Sequence, residues 1–341
     1  MSKVPIVSVI MPVHNTEKYL KKSVGSVFGQ GLKNIELICI DDCSSDGSLK
    51  ALEGFRDKDS RIKILRNRKN IGAGLSRNVG IKKAQGEYIC FLDSDDWFES
   101  GSLEELYEKG KSDDLDIVCV WPKLVFADRV VLDKRLLDFD SREVDDKDIV
   151  FRKTLMRKVA WAPWSKMVRR NLLIKNKILF PDIRIAEDMD FSAKVIYHAK
   201  RIGSVGEYFY NYNLREGSLM SCAKPKRKIE NYFESIRLMD KFLREKDILK
   251  KFRREFIYFK LYNYLAIYGA MFYADEKLDE DLYKKNIWND EDFRIWRIIS
   301  LGFFDSVVAG SILIKIGLFG PAFRVREFFR VLFGKWGKRS S

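Results

Sequence analysis

The first hundred residues alternate short apolar runs with helix-like segments, and no other feature restricts the fold of this chain as much. "IVSVIMPV" (6–13), "IELICID" (35–41), "RIKILRN" (61–67) and "EYICFLD" (87–93) are apolar runs of strand length. Between them lie "TEKYLKKSVGSVFGQ", "GSLKALEGFRD" and "GAGLSRNVGIKKAQG", which carry helix periodicity. Regular alternation with short connections predicts βαβ units and a mostly parallel central sheet flanked by helices, an α/β fold. In such a sheet ligands bind beyond the carboxyl ends of the strands. The polar residues collect there: His14 and Asn15 after the first strand, Asp41 and Asp42 after the second, Asn70 to Asn78 after the third, and Asp93, Asp95 and Asp96 after the fourth.

The chain continues for 341 residues, 46% of them hydrophobic, which is more than one domain needs. An α/β domain is predicted over 1–220 and a basic, mainly helical region over 221–341, with a helix near 145–157 inside the first. Five cysteines without CxxC spacing argue against a disulfide framework or structural zinc and for a reducing, cytoplasmic compartment. Met1 runs directly into the first strand, so no signal peptide is expected. "LGFFDSVVAGSILIKIGLFG" (301–320) carries Asp305 and Lys315 and fails as a clean membrane span. The net charge of +14 suits anionic partners, but zinc-finger spacing and interleaved aromatic and basic residues are missing, so nucleic acid is not expected. The stretch 322–341 places apolar and basic residues on opposite helical faces, which suits either an anionic membrane at the inner face of the plasma membrane or the protein's own surface.

Three chemistry-bearing clusters stand out. In "FLDSDDWF", three carboxylates within four positions repel one another unless solvated or given a cation. A hard divalent ion, Mg²⁺ or Mn²⁺, bridging a diphosphate would suit them. A phosphohydrolase with a nucleophilic aspartate, of the haloacid-dehalogenase type, would also end a strand in DxD, though it expects a DxDGT-like continuation. In "DDCSSDGS", Asp42 is a candidate nucleoside contact, while Asp46 suits the cap of the next helix. A dinucleotide site is excluded because "PVHNTEKYL" replaces the glycine-rich phosphate loop. In "NIGAGLSRNVG", Arg77 either neutralises phosphate or holds a neighbouring aspartate.

"VSVIMPVHNTEKYLKKSVGSVFGQ", "ICIDDCSSDGS", "NIGAGLSRNVG" and "GEYICFLDSDDWF", in this order and spacing, resemble glycosyltransferase family 2, the inverting nucleotide-sugar transferases of the glycosyltransferase-A fold. The resemblance spans about 5–220 and implies a nucleotide-binding half near 1–100 and an acceptor-binding half near 101–220. It implies a UDP-sugar donor and Mn²⁺ or Mg²⁺, while the basic second half and the amphipathic 322–341 stretch point to a glycan or glycolipid acceptor at a membrane: a lipid-linked oligosaccharide, a lipooligosaccharide core or a capsule precursor. By position it implies nucleotide-sugar contacts from Pro12, His14, Asn15, Asp42, Asn70, Arg77, Asp93 and Ser94, and metal ligation by Asp95 with Asp93. Asp96 stays interchangeable with either of the last two. "RIAEDMDF" supplies Glu187 and the expected general base Asp188, with Asp190 a rival. Trp164 and Lys166 resemble an acceptor-side segment, and Arg215 and Ser218 a diphosphate-side one. Cys43 departs from the family, which usually has glycine there. A catalytically silent glycan-binding protein is the remaining alternative.

Overall fold

The structure is a computed structural model and describes residues 4–132, 146–215, 224–272, 274 and 278–294. Ser218 and the stretches 301–320 and 322–341, each given a role from the sequence, lie outside the described residues. The chain divides into two units, Met1–Ser221 and Cys222–Ser341.

In the first unit the apolar runs become β1 (Val7–Val13), β2 (Ile35–Asp41), β3 (Ile62–Arg66) and β4 (Tyr88–Phe91). They are joined by α1 (Glu17–Phe28), α2 (Ser48–Arg56) and α3 (Ala73–Lys83). β1 and β2 are buried along their whole length, which is why they read as continuous apolar runs and not as alternating ones. All four strands are parallel in the order β3-β2-β1-β4.

The second half of the sheet is mixed. β5 (Trp97–Phe98), α4 (Ser102–Ser112), β6 (Ile117–Val125), β7 (Val130–Leu132) and α5 (Lys147–Leu155) lead to a 3-10 turn at Pro163–Ser165 and β8 (Lys166–Arg169). α6 (Arg170–Lys175), α7 (Glu187–His198) and β9 (Ile202–Asn213) follow. β8 lies between β4 and β6 and is antiparallel to both, β9 is parallel to β6, and β5 and β7 pair antiparallel with β9 and β6. The antiparallel β8 starts at the edge where β4 ends, so the turn before it joins the strand-end loops of β1 to β4.

Pro12 shows how the edge is built. The Ile10 carbonyl faces β4 and accepts from the Leu92 amide, and by the two-residue period of a strand Pro12 faces the same side. The β1–β4 ladder ends at Ile10 and Phe91, so a residue without an N–H costs the sheet no bond there.

In the second unit, α8 (Pro225–Glu245), α9 (Arg253–Phe272) and α10 (Glu280–Trp288) are helices. α8 buries Ile229, Tyr232, Met239, Phe242 and Leu243 at helical spacing and packs on α9. Lys260 of α9, largely buried, pairs with Asp290 (2.6 Å) and Asp292 (2.8 Å) just after α10. No described helix is long and apolar enough to cross a membrane.

Candidate active site at the carboxyl edge of the sheet

After β4 the chain turns, the Asp96 amide donating to the Asp93 carbonyl (3.0 Å), and the three aspartates take three directions. Asp93 accepts from Arg77 Nη2 at 2.6 Å. Asp95 accepts from Arg215 Nε at 2.6 Å. Asp96 is fully buried and accepts from the Tyr210 hydroxyl and the Asn213 amide, both at 2.7 Å. The Asp93 and Asp95 side chains keep 27% and 20% of their surface exposed, so these two can meet a ligand and Asp96 cannot. Asp96 is thus the brace of the turn. Burial, with Asp93 beside it, pushes the Asp95 carboxyl up, and burial with both neighbours pushes Asp96 well above the usual carboxylate range. The turn is short of positive charge even with two arginines in contact. Ser94 points inward: its hydroxyl accepts from Thr16 (2.8 Å) and its carbonyl from Ser23 (2.8 Å).

Beyond β2, Asp42 is buried and organises the neighbouring loop. Its carboxylate accepts from Asn67 Nδ2 (2.8 Å), the Ile71 amide (2.8 Å) and the Gly72 amide (2.7 Å). Gly72 has φ +92°, a conformation that suits only glycine comfortably. His14 Nδ1 lies 3.0 Å from the Asp42 carbonyl, and the Asn15 side chain accepts from the Ser45 amide (2.8 Å), tying the first strand end to the second. Asp46 accepts from the Ser48 amide (2.9 Å) at the start of α2. Cys43, between them, is left-handed at φ +60°. Glycine takes this conformation at the least cost, and here the turn is made with a side chain present.

Helix α3 is laced to the segment that leads into α7. Asn78 exchanges two hydrogen bonds of 2.8 Å with the backbone of Phe180. Arg184 donates to Asn70 Oδ1 (2.6 Å) and to the Asn70 carbonyl (2.7 Å). Arg77, buried, spans from Asp93 to Glu187, the latter at 3.3 Å. A Cβ on Gly74 would stand 2.8 Å from Glu187 Cγ, so this glycine leaves the room that Glu187 occupies. Ala186 begins α7 in the left-handed region at φ +64° and turns Glu187 and Asp188 toward Arg77. Burial, with Asp188 beside it, pushes the Glu187 carboxyl up to about 7, Arg77 opposing. Burial also raises Asp188, against the positive charges of Arg77, Lys166 and Arg157. Asp190, the rival base, is buried and paired with Lys194 at 2.7 Å.

Trp164, in the turn before β8, lies flat on Tyr210 (ring centroids 4.5 Å, 8° between planes) and also on Tyr212 (5.5 Å, 19°). It therefore supports the phenol that holds Asp96. Lys166 is buried, and its ammonium donates to the Ala160 carbonyl (2.5 Å), the Ala162 carbonyl (3.0 Å) and Ser165 Oγ (3.1 Å).

Comparison with known proteins matches this arrangement to a family. The family described as Glycosyl transferase family 2 matches residues 8–176. The chain is 34% identical over 294 residues to a cholesterol galactosyltransferase of Borreliella burgdorferi, covering 82% of this chain and 81% of that protein. This chain belongs to glycosyl transferase family 2. Among solved structures, the fold of this family 2 chain is similar to Staphylococcus aureus TarS 1-349 in complex with UDP-GlcNAc, with a TM-score of 0.64 at 23% identity over 95% of this chain and 91% of that one. It is also similar to the mannosyltransferase PcManGT of Pyrobaculum calidifontis in complex with GDP-Man and Mn²⁺, with a TM-score of 0.55 at 15% identity over 94% and 89% of the two chains. The fold is of the glycosyltransferase-A type, and the enzyme class is glycosyltransferase, which removes the phosphohydrolase alternative.

For a family 2 enzyme, the structure brings Asp93, Asp95, Arg77, Arg215, Glu187 and Asp188 to one edge. It turns Pro12, Ser94 and Lys166 into the interior. Asn67, Tyr210 and Arg184 were not picked out by sequence, although each holds a residue that was. The signal for Tyr210 was present: tyrosines at 208, 210 and 212 alternate as they do along one face of a strand. Among the described residues no cluster of three or more His, Cys, Asp or Glu forms a metal cage. Asp93 and Asp95 nevertheless fit one Mg²⁺ or Mn²⁺, since such an ion takes one or two carboxylates and completes its shell with phosphate oxygens and water.

Proposed function

We propose that this family 2 glycosyltransferase moves a sugar, with inversion, from a UDP-sugar to a hydroxyl of a cell-surface glycan or glycolipid. The observation that carries this reading is the pairing, through Arg77, of a solvent-reachable Asp93 with a Glu187–Asp188 pair that burial keeps basic. One end suits a donor diphosphate and the other an acceptor proton. Asp188 takes the proton of the acceptor hydroxyl while that oxygen attacks the anomeric carbon, and the bond to UDP breaks on the opposite face. No covalent sugar–enzyme intermediate is needed. Asp93 and Asp95 would hold Mn²⁺ or Mg²⁺, which when bound offsets the charge gathering on departing UDP. His14, Asn15, Asp42 and Asn70 shape the nucleoside end, and Arg215, with Ser218, serves the diphosphate. Trp164 serves the acceptor side through the aromatic stack beneath it. The UDP complex of the TarS neighbour supports the donor class, and the cholesterol galactosyltransferase supports a lipid-borne acceptor.

A melting-temperature panel with UDP-, GDP-, CMP- and TDP-sugars, each with and without Mn²⁺, tests the donor. A Mn²⁺-dependent rise with UDP-sugars is expected, and no metal-dependent nucleotide response would refute the proposal. UDP release that rises with glycolipid acceptor separates the enzyme from a silent glycan-binding protein. Contact of 322–341 with anionic membrane belongs to the same proposal. It fails if the protein stays unbound to anionic liposomes and deletion of 322–341 leaves transfer to lipid-borne acceptor unchanged.

A further inference from the structure

Both carboxylates suited to a divalent ion already hold an arginine. Asp93 accepts from Arg77 Nη2 and Asp95 from Arg215 Nε, each at 2.6 Å. The two arginines are not held alike. Arg77 is buried, with 6% of its side chain exposed, and also reaches Glu187 at 3.3 Å. Arg215 stands two residues beyond β9 and keeps 21% of its side chain exposed. Its guanidinium lies over the Tyr19 ring of α1, 5.0 Å from the centroid.

The backbone that carries Arg215 is tied down. The Asn213 amide donates to Asp96 (2.7 Å), Asn213 Nδ2 donates to the Asp95 carbonyl (3.2 Å), and the Leu214 amide donates to the Val125 carbonyl (2.8 Å). The strand end that braces the turn therefore also delivers the guanidinium to Asp95, and a rotation of the side chain alone takes it away. A divalent ion on Asp95 would share one carboxylate with that guanidinium, and charges of one sign at such a separation repel. An arginine displaced from a carboxylate finds an equivalent acceptor in a diphosphate, whose oxygens suit the same planar fork.

We propose that Arg215 is an exchangeable counter-ion: it neutralises Asp95 before the donor binds, and turns over to the donor diphosphate when a divalent ion takes its place on that carboxylate. This rests on Asp95 as a ligand of Mn²⁺ or Mg²⁺ and on a nucleoside diphosphate donor. The exchange couples the two ligands. An ion arriving alone displaces Arg215 with no new acceptor for the guanidinium, so metal alone binds weakly. A diphosphate supplies that acceptor, and each ligand then strengthens the other by the same factor in either order. Arg77 is unsuited to this task, because its departure from Asp93 would pull a buried guanidinium away from Glu187 as well.

Mn²⁺ binding tests this without turnover. It is read by electron paramagnetic resonance in wild type, Arg215→Met and Arg215→Gln, each with and without saturating UDP. In the variants Mn²⁺ alone should bind about tenfold more tightly than in wild type, which corresponds to about 1.4 kcal/mol. With UDP present its affinity should stay within about twofold of wild type, so the strengthening by UDP falls roughly tenfold. A gain of equal size with and without UDP would make Arg215 merely a nearby charge and overturn the proposal. Circular dichroism checks the fold, and either folded variant decides. If UDP does not raise the Mn²⁺ affinity of wild type, the metal–diphosphate reading fails and the exchange fails with it. If UDP raises it identically in wild type and variants, with Mn²⁺ alone also unchanged, the exchange fails by itself.

Discussion

Two acidic clusters face each other across Arg77, and they are satisfied in different ways. In the turn after β4 each carboxylate has a partner of its own: Arg77 for Asp93, Arg215 for Asp95, and Tyr210 with the Asn213 amide for Asp96. At the start of α7, Glu187 receives one guanidinium contact at 3.3 Å, and Asp188 a backbone amide and the surrounding charge. Both clusters are buried enough to want more positive charge. The turn keeps 27% and 20% of two carboxylate side chains exposed and suits a hydrated divalent ion, whereas Glu187 keeps 12% and the pair suits a proton. For the roles proposed, the difference between a cation site and a base lies in access, not in residue type.

The largest effect expected from breaking this contrast is on rate. Asp188→Asn removes the proposed proton acceptor and leaves the turn intact, so transfer should fall about 10²- to 10⁴-fold while the melting shift with UDP and Mn²⁺ is retained. Loss of both together would mean that the clusters are not separate.

Arg77→Met strikes the side chain the clusters share. Two carboxylates then lose their cation, and because the Arg77 side chain is only 6% exposed the protein should lose about 3–5 kcal/mol of stability in urea titration. A loss below 1 kcal/mol would show that Asp93 and Glu187 do not depend on Arg77.

Glu187→Gln sharpens the contrast through pH. A carboxyl raised from 4.5 to about 7 on folding binds its proton more tightly in the folded state. The folded chain then loses stability as pH rises from about 4.5 to 7, and the penalty is complete above 7. The glutamine variant should accordingly match wild type near pH 4 and exceed it at pH 8, by on the order of 1–3 kcal/mol. Urea midpoints at the two pH values read the difference. A variant less stable at pH 8 would reverse the sign and refute the cause assigned.

The smallest effect belongs to the turn after β2, the proposed nucleoside end. Cys43→Gly relieves a left-handed residue at φ +60° and should add about 1 kcal/mol to stability, offset in part by the greater freedom of glycine in the unfolded chain. An unchanged or lower urea midpoint would mean that the thiol contributes packing worth more than the strain.

The two halves of the first unit also differ in how far they can be read from sequence. β1 to β4 and α1 to α3 follow from local periodicity, because β1, β2 and β4 are buried along their whole length and each connection is short. The carboxylates at the strand ends follow too, since apolar runs interrupted by acids mark where a parallel sheet stops. What decides their roles comes from far along the chain. Asp96 is the brace because Tyr210 and Asn213 reach it across more than a hundred residues, and no spacing within "DSDD" carries that information. Lys166 looked like an acceptor contact by position alone, and its inward direction appears only once β8 is set antiparallel between β4 and β6. The mixed half resists local reading for the same reason: a four-residue strand such as β8 is defined by its neighbours.

That insertion of β8 has a consequence for how such enzymes can diversify. β4 meets the later half of the sheet through one ladder, Tyr88 with Arg169, Ile89 with Val168 and Cys90 with Met167. Side chains cross the same seam, Tyr210 to Asp96, Arg215 to Asp95 and Glu187 to Arg77, so a segment recombined beyond it must bring these three partners with it if the strand ends are to keep their arrangement. A chimera joined at this seam, with the later half taken from another member of the family, should fold where Tyr210, Arg215 and Glu187 have counterparts and lose stability where they do not.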